Sequence, residues 1–222
     1  MAKKKLRKEV ENTAEQKLIN GISAFFEKNL KTILISLATV TIVVVAIVVI
    51  VGSSSKSSDS AQIKIAEMEE KYSELAASET PDWDSYEAEL ATMVKGSSYT
   101  SVKASYLLGL AHYDQEDYAS AKDAFHKAYE LNTKIYLAPI ALVNEAACTE
   151  AMGDTTGALD LYNKVFDDYK ESGVAAKALF NVARIYLQQG NTQLAGTVFE
   201  QVATDYPNSE YGKLAKNIAN TL

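Results

Sequence analysis

Cysteine is almost missing from this 222-residue chain. Cys148 stands alone, so no intramolecular disulfide can form and no Cys-based zinc site can be assembled. Basic residues are in deficit, 22 Lys and Arg against 29 Asp and Glu. The resulting net charge of −7 excludes a general nucleic-acid binder, which needs surplus cations to neutralise phosphate. No phosphate-cradling glycine loop, G-x-S-x-G elbow or H-E-x-x-H pair occurs. The two histidines, His112 and His126, are 14 residues apart with no metal-ligand spacing, and read as a packed and a solvated side chain respectively. Cys148 reads as a small buried hydrophobe, and Asp167 and Asp168 as solvated helix-face carboxylates. Ser53-Ser54-Ser55-Lys56 matches S-x-x-K, but without S-D-N or K-T-G it reads as linker. The chain is therefore expected to be non-enzymatic, with no catalytic residue, cofactor or metal.

What is present is unevenly spread. Residues 33–51, ILISLATVTIVVVAIVVIV, run for 19 positions without a charge, amide, Gly or Pro. As a helix they would extend roughly 28 Å, close to the ~30 Å bilayer core, so a single transmembrane helix is expected. A strand is the alternative for so many Val and Ile, yet the run is far longer than an ordinary strand. The leader, residues 1–32, holds eight basic and four acidic groups, a net +4, whereas the next Lys is Lys56. The excess of positive charge places the N-terminus in the cytoplasm and everything after Val51 across the membrane. A cleaved signal peptide, with Val51-Gly52-Ser53 as a small-residue site, is the rival reading. The apolar run exceeds the about 7–15 residues of such a segment. Leu18, Ile22, Phe25, Phe26 and Asn29 share a helical face in the leader, which suits an interfacial helix or the start of a longer one.

Residues 52–60, GSSSKSSDS, have the composition of a flexible tether. Beyond it the sequence repeats. Stretches beginning at Leu108, Glu145 and Val182 align with a period of 37 residues. Gly109, Ala146 and Ala183 correspond; so do Ala121, Ala158 and Ala195, then Phe125, Tyr162 and Phe199, then Ala128, Val165 and Val202. Two antiparallel helices approach closely only where small side chains face each other, so the small residues are expected at the crossings and the aromatics in the groove toward the next pair. Gly153-Asp154 and Gly190-Asn191 suit the end of one helix and the start of another. The expected fold is all-α: a transmembrane helix, then an α-solenoid of helix pairs over 61–222. It would comprise a degenerate pair at 61–95, repeats at about 102–138, 139–175 and 176–208, and a capping helix at 209–222.

Leu108-Gly109, His112-Tyr113, Asp117-Tyr118, Ala121, Phe125 and Ala128 resemble the tetratricopeptide repeat pattern. Gly153-Asp154, Ala158 and Tyr162 follow it in the second unit, as do Tyr186, Gly190, Ala195, Phe199 and Pro207 in the third. The resemblance implies a curved array whose first helices line an inner face. In that register the face holds Lys103, Tyr106, Leu110 and Tyr113; then Ile140, Val143, Asn144 and Glu150; then Lys177, Phe180, Arg184 and Leu187. Aromatic and aliphatic anchors with a few cations suit an extended or helical peptide. A missing helix or a second copy covering part of the face is the alternative. Lys103, Asn144 and Lys177 also fall at positions of the carboxylate clamp of chaperone-binding members, but Leu107 and Asn181 leave that clamp incomplete.

The motif from Gly21 to Asn29 directly before a single apolar run and a repeat domain resembles the bacterial YfgM-like family of ancillary translocon subunits. The segment Asp205–Tyr211 is similar to terminal repeats of the related cell-division coordinator family. That resemblance implies an inner-membrane, single-pass protein with periplasmic repeats. Its partners would be the export translocon, periplasmic chaperones or emerging chains, with homo-oligomers open. The alternatives are an envelope or cell-division scaffold and a membrane-tethered stress regulator.

Overall fold

The computed structural model describes residues 28–29 and 59–222. The apolar run at 33–51, with nearly all of the leader and tether, lies outside the described residues. Among those described, no helix is long and apolar enough to cross a membrane. Ser60–Leu222 forms one compact unit.

All regular structure described in this unit is helical. Helix α1 occupies residues 59–76. It is followed by α2 (Trp83–Ala91), α3 (Tyr99–Asp114), α4 (Tyr118–Leu131), α5 (Leu137–Ala151), α6 (Thr155–Asp168), α7 (Ala175–Gln188), α8 (Thr192–Asp205) and α9 (Glu210–Ala219). From α2 onward each helix packs on the next, and α3 meets α5 and α7 meets α9 as well. This is the neighbour-only packing of a helical solenoid.

The turns inside the pairs show why the chain reverses where it does. Backbone at Glu116, Gly153 and Gly190, spaced 37 residues apart, is left-handed, with φ of 60°, 87° and 77°. The next residue in each turn, Asp117, Asp154 or Asn191, donates its N–H back to the carbonyl of His112, Thr149 or Tyr186. Its side chain then accepts from the N–H of Ser120, Gly157 or Leu194 at 2.9–3.3 Å, capping the second helix.

Packing follows the same period. Phe125, Tyr162 and Phe199 are buried, and Ala146 with Ala158, and Ala183 with Ala195, share their clusters with the aromatic of their own repeat. Burial of such a ring stabilises by roughly 1.5–3 kcal/mol. In the first repeat the small residue answers the ring itself, since a Cβ on Gly109 would stand 2.6 Å from Phe125. Neighbouring repeats are also tied at their loops. Tyr169 donates its hydroxyl to the Thr133 carbonyl at 2.9 Å, and Tyr206, 37 residues on, repeats the bond to Lys170 at 3.0 Å.

The array is closed at each end by non-repeating helices. Ile65 and Met68 of α1, with Tyr86 and Leu90 of α2, build a core against Leu107 and Ala111 of α3. The Tyr86 hydroxyl donates to the Met68 carbonyl at 2.9 Å. At the other end Ala215 of α9 joins the cluster of Phe180 and Phe199. Gly212 brings α9 against the Tyr206 carbonyl so closely that a Cβ there would collide with it.

Candidate peptide-binding groove

A cavity of about 420 Å³ opens between α3, α5, α6 and α7. Five of the residues expected on the inner face line it: Tyr113, Val143, Glu150, Lys177 and Arg184. They come together because the first helix of every pair turns equivalent positions toward the same side. Ala147, Tyr162 and Asn181 also line the cavity but were not among the expected anchors. Ala147 does so because a small side chain leaves room. The 37-residue match of Tyr162 to Phe125 and Phe199 predicts a core ring, which it is, and only its edge reaches the groove.

The charges in the cavity are unequally committed. Arg184 forms a two-point ion pair with Glu150, Nη1 to Oε1 at 2.8 Å and Nη2 to Oε2 at 2.6 Å. Its Nε donates to Asn181 at 3.1 Å, and Nη1 reaches Gln188 at 3.1 Å. The Glu150 carboxylate raises the pKa of the guanidinium above its already high ordinary value. Burial, with Glu150 nearby, pushes the Tyr162 hydroxyl up to about 12, so it stays protonated. The Lys177 ammonium, by contrast, makes no ion pair or hydrogen bond among the described residues. The cavity therefore offers one free cation in a lining of mixed polarity, with Tyr113 and Ala147 as its apolar side.

The other expected face residues lie elsewhere, for identifiable reasons. Lys103 is 8% exposed and bonded to Glu69 of α1 at 2.6 Å, so it is not an open cation. Tyr106 is half-buried beside Phe125, 5.5 Å between ring centres, and accepts a hydrogen bond from Asn144 at 3.1 Å. Leu110 packs against the α1–α3 core. Phe180 is buried between Phe199 and Tyr211, at 5.2 and 5.3 Å, because α9 folds over it. Leu187 packs on the same cluster. Ile140 lines a separate cavity at the loops. With Lys103 paired, Asn144 bound to Tyr106 and Asn181 bound to Arg184, the residues of the clamp positions are not gathered around one ligand site.

Histidine and cysteine supply no catalytic arrangement. His112 lies 3.3 Å from Glu87. His126 was expected to be simply solvated; it is half exposed, yet its Nδ1 meets the buried carboxylate of Glu145 at 3.0 Å. Cys148 is fully buried, and burial beside Glu145 pushes its thiol up to about 12. Among the described residues no group of three or more His, Cys, Asp or Glu could hold a metal ion.

Two segments, residues 106–169 and 177–209, match family models described as tetratricopeptide repeat. These segments are tetratricopeptide repeats. No curated protein matches the chain. Among solved structures, the chain is similar to the nearly identical TPR-like repeats assigned to a Podosopora anserina kinesin light chain, at 15% identity. The match covers 60% of this chain and 70% of that one, with a TM-score of 0.49. Tetratricopeptide repeats imply a protein–protein interaction module and are typically non-enzymatic scaffolds that bind proteins or peptides.

Proposed function

We propose that the chain is a non-enzymatic adaptor, anchored by residues 33–51 and displaying its tetratricopeptide repeats outside the cytoplasm, where the α3/α5/α7 groove holds a segment of a partner polypeptide. The carrying observation is the cavity in which Lys177 stands unpaired beside Tyr113, Val143, Ala147 and Tyr162. The exposed Tyr113 ring offers an apolar contact, and a lone cation selects an acidic group at one position. Anchoring rests on the length of the apolar run, and orientation on the +4 leader facing a net −11 from Gly52 onward. The resemblance to the YfgM-like family makes the export translocon the membrane partner and chaperones or emerging chains the groove ligands.

Crosslinking in intact membranes from a photoreactive residue placed at Ala147 tests both parts. Translocon subunits and exported chains among the adducts, lost on Lys177→Glu, carry the reading. Envelope-synthesis proteins would replace it with the scaffold, and cytoplasmic transcription factors with the tethered regulator. Protease added to spheroplasts should digest the repeats; survival of residues 60–222 while the membrane is sealed would reverse the orientation.

A further inference from the structure

The repeats differ at one place where they ought to match. Shifted by 37 residues, Ile135-Tyr136 before α5 becomes Ser172-Gly173 before α7. In the first position Ile135 packs on the core of Val102 and Leu137. Tyr136 there sets its ring against Tyr99, 6.3 Å between centres, with the two hydroxyls 3.1 Å apart. In the second position both large side chains are missing. A cavity of about 600 Å³ stands there, lined by Tyr136, Pro139, Ile140, Tyr169, Ser172 and Val174. Its walls are almost wholly apolar, and Tyr136 is 62% exposed at its mouth. Ser172 carries a buried hydroxyl without a hydrogen-bond partner. A Cβ added at Gly173 would meet nothing within 4 Å, and its φ is not left-handed, so neither crowding nor backbone strain requires glycine.

We propose that this slot receives the side chain of a tyrosine from a partner polypeptide, set against Tyr136 as Tyr136 is set against Tyr99. The chain itself shows the fit: the preceding repeat fills the equivalent place with a tyrosine whose hydroxyl pairs with the next hydroxyl along the row. Outside the described residues the chain's aromatics are Phe25 and Phe26, which lack that hydroxyl. The slot lies at the loops joining α4 to α5 and α6 to α7, and the inference does not depend on the groove. Ring–ring contact and a hydroxyl pair together favour tyrosine over phenylalanine.

The test uses the full-length chain in detergent micelles and saturation-transfer NMR with acetyl-Gly-Tyr-Gly-amide, its Phe and Ala analogues, and empty micelles as background. Transfer to the side-chain protons should be strongest for the Tyr peptide, weaker for the Phe peptide and absent for the Ala peptide. Gly173→Tyr fills the slot from within and should cut the transfer at least fivefold while leaving the helical circular dichroism intact. Tyr136→Ala, at an exposed position, should do the same and carries the test if Gly173→Tyr does not fold. No transfer at millimolar peptide, equal transfer to wild type and Tyr136→Ala, or a preference for Phe would overturn the proposal. So would self-association in sedimentation that Gly173→Tyr abolishes, since a second copy would then be the occupant.

Discussion

Arg184 of α7 grips Glu150 of α5 through two parallel hydrogen bonds, 2.8 and 2.6 Å, across the floor of the groove. The pair fixes the spacing of two repeats and also cancels the charge that would otherwise compete with Lys177. Their side chains are 32% and 23% exposed, between the surface and core extremes. Exposed pairs couple by about 0.2–1 kcal/mol, and fork-shaped Arg–carboxylate pairs by more. A double-mutant cycle with Arg184→Ala and Glu150→Ala should therefore give a coupling of about 1–2 kcal/mol in urea unfolding followed by circular dichroism. Glu150→Ala alone leaves Arg184 and Lys177 both unneutralised. Acidic peptides should bind that variant more tightly than wild type, with a steeper salt dependence; unchanged binding would separate the pair from the ligand site.

Glu116 is the non-glycine residue that takes the left-handed turn conformation used by Gly153 and Gly190. A side chain there costs on the order of 1–2 kcal/mol in backbone sterics, and glycine returns part of that gain through its freer unfolded chain. Glu116→Gly should stabilise the first repeat by about 0.5–1 kcal/mol. Gly190→Ala should lose a similar amount. Both are readable as shifts of the urea midpoint at constant slope.

The interior period of this fold was legible in advance, since small residues and rings recurring every 37 positions match the needs of helix crossings and of the grooves between pairs. The turns were half legible: Gly-Asp and Gly-Asn announced two of them, whereas Glu116-Asp117 hides the same geometry behind an unfavourable residue. Face positions were less readable, because what covers them comes from outside the period. Lys103 is sealed by Glu69 of α1, and Phe180 by Tyr211 of α9, neither helix carrying the repeat. The hydroxyl ladder of Tyr169 and Tyr206 left a signal, two tyrosines 37 residues apart, that a search for core positions passes over.

Gly109 and Gly212 are glycines for lack of space, but their neighbours differ in compliance. At Gly109 an added methyl meets the Phe125 ring at 2.6 Å, and a ring can shift. Gly109→Ala should cost about 1–3 kcal/mol, the usual range for overpacking. Phe125→Leu in the same chain should recover part of the loss, although Phe125→Leu alone destabilises. At Gly212 the obstacle is the Tyr206 carbonyl, which cannot yield without moving the α8–α9 turn. Gly212→Ala should therefore release α9, measured as faster amide hydrogen exchange around Phe180 and Tyr211 with α3–α6 unaffected. Uniform exchange throughout the array would show instead that the cap and the repeats unfold as one unit.

Glu145 sits 4% exposed on α5, with Oε1 on His126 and Oε2 without any partner. Burial raises its pKa above the ordinary carboxyl value, while His126 and Lys122 of α4 pull it down and Asp123 adds to the rise. Because the folded chain holds this proton more tightly than the unfolded chain, the contribution to stability is fully present below the unfolded carboxyl pKa. It is lost as pH rises through the folded value. Glu145→Gln keeps the shape and removes the titration, so it should match wild type at acid pH and exceed it increasingly toward neutral. Unfolding curves of both proteins from pH 4 to 8 read this directly. A wild type that gained on the Gln variant with rising pH would show the His126 ion pair outweighing burial, and would make Glu145 a contributor to the α4–α5 contact rather than a strained group within it.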